Sequence, residues 1–187
     1  MSNATSNSLQ IRRMVFAALC LALALVLPFL TGQIPQIGQM LCPMHIPVFL
    51  CGLICGWPYG IAVGFLLPLV RAVLFGMPVI FPNGIAMAFE LATYGAVAGF
   101  LYFRKGYFCL RSCYVSLITA MIAGRVVWGL ARCVLLGFGG SFTWKMFVAG
   151  ALLNAIPGII LHLILIPGVM LALGRTGLVP FEKESVK

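Results

Sequence analysis

The sequence predicts an all-α membrane protein of six transmembrane helices with both termini in the cytoplasm, and three observations predict it. Hydrophobic residues make up 63% of the chain and charged residues only 8%, against roughly 25% charged in an ordinary soluble domain. The apolar residues gather in six stretches, and 187 residues hold six spans of about 20 residues each with short loops and little else. The basic residues fall almost wholly between alternate stretches, as the positive-inside rule requires of cytoplasmic loops.

Residues 1–11 are polar and expected to form a disordered cytoplasmic N-terminus, residues 12–174 the transmembrane domain, and residues 175–187 a cytoplasmic tail. The first span is expected over residues 14–30, ending near Pro28; an uncharged loop with Gly32, Pro35, Gly38 and Pro43 follows. The second, residues 46–55, is short and stops at Gly56-Trp57-Pro58-Tyr59-Gly60. The third covers 61–75, the fourth 84–103, the fifth 112–136 and the sixth 146–173. No small-x-small cleavage site follows the first span, so a cleaved signal peptide is not expected.

Arg12, Arg13, Arg104, Lys105, Arg111, Arg175, Lys183 and Lys187 all fall on one side if there are six spans, and only Lys145 falls in an opposite loop. An odd number of spans would break this agreement. Small residues four apart, which let helix backbones approach, occur as Ala18/Ala22, Gly52/Gly56, Gly60/Gly64 and Gly95/Gly99; internal packing is the ordinary reading. No internal repeat is evident, which weighs against an inverted-repeat carrier.

Several function classes are excluded for want of material. The net charge of +9 reports membrane orientation rather than nucleic-acid binding. No Gly-x-Ser-x-Gly, His-Glu-x-x-His or Gly-x4-Gly-Lys-Ser/Thr sequence occurs, so neither a catalytic residue nor a nucleotide site is assigned. The Cys51/Cys55 and Cys109/Cys113 pairs have x3 spacing and no neighbouring histidines, so no metal site or cofactor is expected.

Charged residues inside spans are costly and usually face a cavity or a partner. Counted from the outer ends at 1.5 Å per residue, Arg71 lies ~7 Å deep, Arg132 ~8 Å, Glu90 ~10 Å, Asn154 ~12 Å and Arg125 ~18 Å. This convergence predicts a substrate site in the outer half. Arg125, Trp128 and Arg132 follow i, i+3, i+7 spacing on span five, and Glu90 and Tyr94 an i, i+4 spacing on span four, with Asn83 near its outer end. His45, in the first outer loop, is placed to close the site. His162, counted ~24 Å deep from residue 146, falls below the midplane and is left out. Three arginines against one glutamate leave a surplus of +2, pointing to an anionic ligand. The structural alternatives are an Arg71–Glu90 ion pair, a snorkelling Arg132 and a helix–helix hydrogen bond from Asn154.

Ala18-Leu19-Cys20-Leu21-Ala22 on span one, the run His45-Ile-Pro-Val-Phe-Leu-Cys-Gly-Leu-Ile-Cys-Gly-Trp-Pro-Tyr-Gly60, Gly64-x3-Pro68-x2-Arg71 and Gly95-Ala-Val-Ala-Gly99-Phe-Leu-Tyr102 together resemble the substrate-binding S component of an energy-coupling factor (ECF) vitamin transporter. The resemblance covers residues 12–174. It implies an S-component-like bundle in a bacterial cytoplasmic membrane that captures a vitamin or related micronutrient from outside. A separate membrane coupling subunit and two cytoplasmic ATPase subunits would supply the driving force, with Ala18 and Ala22 docking on the coupling subunit. The arginine surplus favours a carboxylate such as pantothenate, with a neutral pterin-like or deazapurine base as the alternative. Two other classes stay open: a self-sufficient proton-coupled or facilitative carrier with Glu90 as the protonation site, and a non-transporting accessory subunit.

Overall fold

The computed structural model describes residues 2–30, 42–104, 109–136 and 156–176, the side chains of residues 2–8 and 30 excepted. These residues form six α-helices: α1 (Ser2–Leu30), α2 (His45–Cys55), α3 (Trp57–Phe75), α4 (Ile85–Arg104), α5 (Leu110–Leu136) and α6 (Ile156–Arg175), with a kinked turn, Ile80–Gly84, leading into α4. Lipid offers no hydrogen bonds, so apolar stretches of this length close their backbone bonds internally as helices. Helix α1 already begins at Ser2, inside the segment expected to be disordered. Among the described residues, five helices are long and apolar enough to cross a membrane. The eleven residues of α2 reach ~16 Å, about half of a hydrocarbon core near 30 Å.

Burial runs opposite to that of a water-soluble bundle. On α1 the buried residues Ala17, Cys20, Ala24 and Pro28 form one narrow stripe, while Leu19, Leu23 and Val26 face outward. On α5, Ile118, Ile122, Val126, Leu130 and Val134 recur every fourth residue on the exposed face, and Cys113, Leu117, Ala120 and Gly124 face inward. Large apolar side chains thus meet lipid and small ones meet neighbouring helices, as expected where packing rather than water drives association. Helix α2, buried at nine of its positions, is wedged among α1, α3, α4 and α6.

The three glycine pairs serve the internal packing. A Cβ added at Gly52 would stand 2.6 Å from the Gly95 carbonyl oxygen, and one at Gly60 2.7 Å from the same atom. Both α2 and α3 therefore cross α4 at near backbone contact around Gly95. Gly95→Ala is expected to destabilise the protein by about 1–3 kcal/mol through overpacking against unyielding backbone, measured as the midpoint of unfolding in mixed detergent. The alanine pair behaves differently, for Ala18 and Ala22 are both exposed on α1.

The ends of the bundle are distinguishable. Arg13 of α1 interacts with Cys55 at the end of α2, Gly56 approaches Phe103 late in α4, and Tyr102 interacts with Cys109 and Cys113 at the start of α5. The starts of α1, α3 and α5 and the end of α4 therefore share one end, marked by Arg12, Arg13, Arg104 and Arg111.

Candidate functional site

Four helices bring polar side chains together about 20 Å from the arginine-marked end, counting fourteen residues from Arg104 to Glu90 and from Arg111 to Arg125 at 1.5 Å each. Glu90, 2% exposed, is the sixth residue of α4. Its Oε1 accepts a hydrogen bond from the Tyr94 hydroxyl one turn on, at 2.7 Å. The same oxygen pairs with Arg125 Nη1 of α5 at 3.0 Å and lies 3.8 Å from His45 Nε2 at the start of α2. Burying a carboxylate this completely costs several kcal/mol unless a cation and hydrogen bonds compensate it, and Arg125 and Tyr94 supply both. Gly124, beside Arg125, makes the arrangement possible. A Cβ there would occupy the space of the Tyr94 ring, so only a glycine lets α5 press close enough for Arg125 to reach Glu90.

Because α2 is half-length, its first residue begins part-way along the bundle, and His45 enters the site from there. His45 is 3% exposed. Its Nδ1 donates to the Cys42 carbonyl oxygen at 3.1 Å, and His162 Nε2 of α6 lies 3.3 Å from the same oxygen. One carbonyl thus ties α2 to α6. Four rings close a circuit: His45 to Tyr94 at 5.2 Å, Tyr94 to Phe49 at 4.9 Å, Phe49 to His162 at 5.9 Å, and His162 stacked on His45 at 5.8 Å. Offset and tilted contacts at such separations add to the burial term and hold the rings in place.

Beside this circuit lies a cavity of about 460 Å³, lined by Cys42, His45, Phe49, Tyr94, Arg125 and His162 and closed by aliphatic residues of α5 and α6 such as Ile118, Met121, Ile159 and Leu163. Glu90 is not among its lining residues; it stands behind the wall and positions Arg125, Tyr94 and His45. The Arg125 side chain is 18% exposed and lines the cavity. Burial pushes the Cys42 thiol up to about 11, so it meets the cavity as a neutral group. Among the described residues no group of three or more His, Cys, Asp or Glu side chains is arranged to hold a metal ion.

Of the residues singled out in the sequence, Glu90, Tyr94, Arg125 and His45 come together here. Arg71, Asn83, Trp128 and Arg132 lie elsewhere. Arg71 does not pair with Glu90: its Nη1 donates to the Leu25 carbonyl oxygen of α1 at 3.0 Å, and its guanidinium lies over Phe29 and Phe75 at 5.8 and 5.5 Å. That carbonyl lies where α3 packs against α1. Arg132 donates to Asn83 Oδ1 of the kinked turn and lies over Trp128 at 5.2 Å. Seven residues along α5 set this group ~10 Å from Arg125, so the expected stripe of Arg125, Trp128 and Arg132 serves two places. Asn154 lies outside the described residues.

The expected surplus of +2 disappears with this rearrangement, since only Arg125 faces Glu90 among the three arginines. His162, left out of the site in the sequence reading, lines the cavity. Phe49 was also missed. Its i, i+4 spacing from His45, on a segment too short to be an ordinary span, was the available signal.

A sequence model of the family described as ECF transporter, substrate-specific component, matches residues 12–170. No curated protein and no solved structure matches the chain. The family comprises transporter subunits that bind substrate, not enzymes, and its match spans every residue of the cavity wall. With five helices of membrane-crossing length among the described residues and a match over most of its sequence, this multi-pass membrane protein belongs to the family of ECF transporter substrate-specific components.

Proposed function

We propose that the chain is the substrate-capture subunit of an ECF-type ABC importer in a bacterial cytoplasmic membrane. It takes a small micronutrient from the outside and hands it to a membrane coupling subunit driven by two cytoplasmic ATPases. Both termini face the cytoplasm in this reading, because the arginine-marked end carries the positive charge that the positive-inside rule assigns there. The cavity then opens in the outer half.

The observation that carries the reading is the cavity itself. Its 460 Å³ fall within the range of roughly 300–1,000 Å³ typical of small-molecule sites, and apolar walls with a few fixed polar groups are their usual chemistry. The sequence has no nucleotide-binding motif, so energy must come from a partner. Ala18 and Ala22, exposed on the outer face of α1, offer the small-residue surface on which a coupling-subunit helix docks. A self-sufficient proton-coupled carrier fits less well, because the carboxylate that would load the proton is engaged by both Arg125 and Tyr94.

Uptake assays test this directly. Cells expressing the chain together with a coupling subunit and its two ATPases are expected to accumulate the captured solute, and ATP depletion is expected to stop accumulation. Uptake by the chain alone, abolished by an uncoupler and indifferent to ATP, would establish the carrier reading instead.

A further inference from the structure

The charge and hydrogen-bonding character of the cavity wall define the class of solute it takes, on the premise that the cavity is the capture site proposed above. The wall has one guanidinium, Arg125, and its charge is met by Glu90 at 3.0 Å. Arg71 and Arg132 are engaged elsewhere, with Leu25 and with Asn83 and Trp128. With the two histidines counted as neutral, Arg125 and Glu90 leave no net formal charge among the described residues of the site. An added carboxylate would be desolvated close to Glu90 without a cation of its own, a penalty that an apolar enclosure does not offset.

Two polar features remain for a ligand. Arg125 has donors beyond those engaged by Glu90 and the Cys42 side chain, since a guanidinium has five N–H groups. His45 Nδ1 gives its hydrogen to a carbonyl, which leaves Nε2 of the neutral ring as an acceptor. That Nε2 is buried and has no hydrogen-bond partner, and Glu90 at 3.8 Å is beyond hydrogen-bond reach. The donor and the acceptor stand within 4.0 Å of the same carboxylate oxygen, so one ligand edge can meet both. The rings of Tyr94, Phe49, His45 and His162 supply the adjoining aromatic surface.

We propose that the cavity takes an uncharged, ring-bearing solute with an amide-like edge, its carbonyl oxygen accepting from Arg125 and its N–H donating to His45 Nε2. This replaces the carboxylate that the raw count of arginines suggested.

The test uses the full chain in lipid nanodiscs. Any small molecule released on denaturation is identified by mass spectrometry, and matched neutral and anionic probes are titrated: nicotinamide against nicotinate, biotinamide against biotin, panthenol against pantothenate. The proposal expects an uncharged released compound and, for any pair that binds, tighter binding of the neutral member by about tenfold or more. In Glu90→Gln, which leaves Arg125 uncompensated, that preference is expected to fall at least tenfold toward the acid. If Glu90→Gln does not fold, Arg125→Gln serves, and there the neutral probes are expected to weaken while the acids remain excluded. A released acid, or acids that bind tighter to the unaltered chain, would overturn the uncharged-solute proposal and leave the capture reading standing. No released compound together with no binding by any probe would remove both.

Discussion

Arg125→Ala is expected to destabilise the protein by about 3–5 kcal/mol, the range for removing one partner of a buried ion pair, and to abolish solute capture. Glu90 is 2% exposed, and without the guanidinium its carboxylate keeps one strong hydrogen bond, from Tyr94 at 2.7 Å. A membrane interior offers no water to replace the loss. Combining Arg125→Ala with Glu90→Gln removes the stranded charge while an amide oxygen can still accept from Tyr94. The double variant is therefore expected to regain most of the lost stability but not binding, since Arg125, which lines the cavity, is gone. Unfolding midpoints in mixed detergent, read beside solute copurification, check both halves. An Arg125→Ala protein with unaltered stability would show that the pair does not carry this energy.

Exchanging Ala18 and Ala22 for leucine is expected to produce the opposite pattern, with solute binding and stability near those of the unaltered chain and uptake by the assembled importer reduced tenfold or more. Both alanines are exposed, while Ala17, Cys20 and Ala24 turn the buried stripe of α1 toward the rest of the bundle. Leucine at these positions would stand on the face that is exposed among the described residues, beside the exposed Leu19 and Leu23. Its bulk would instead hold a partner helix away from a surface that small residues leave open for close approach. Measuring copurified solute and ATP-driven uptake on the same preparation separates docking from capture. Uptake at the original rate would remove Ala18 and Ala22 from the proposed docking surface.

These two experiments probe parts of the molecule that differ in how much the sequence reveals. The Ala18/Ala22 pair is legible as a small-residue spacing, but the sequence does not distinguish it from Gly52/Gly56, Gly60/Gly64 and Gly95/Gly99. The structure does, since Gly52 and Gly60 meet Gly95 inside the bundle and the alanines face outward. Likewise i, i+4 spacing alone makes Glu90 and Tyr94 neighbours on one face of α4, where they hydrogen-bond. Spacing does not identify Glu90's cation, because the counted depths set Arg71 and Arg132 nearer its level than Arg125, and only the packing of the helices selects Arg125. That selection sets the charge of the site, and with it the solute class.

By itself the sequence determined the solvent and the secondary structure. Composition requires lipid around the chain, lipid requires helices with closed backbone bonds, and the basic residues mark one end. It also marked the residues too polar to face hydrocarbon. The tertiary structure alone decided which of these meet. Backbone contact at Gly95 fixes how α2, α3 and α4 cross, a half-length α2 sets His45 beside Glu90, and an α6 described from Ile156 brings His162 to the cavity. The physical reason is that cost of burial is a property of one residue, whereas compensation of that cost belongs to a pair whose members lie 35 residues apart in the case of Glu90 and Arg125.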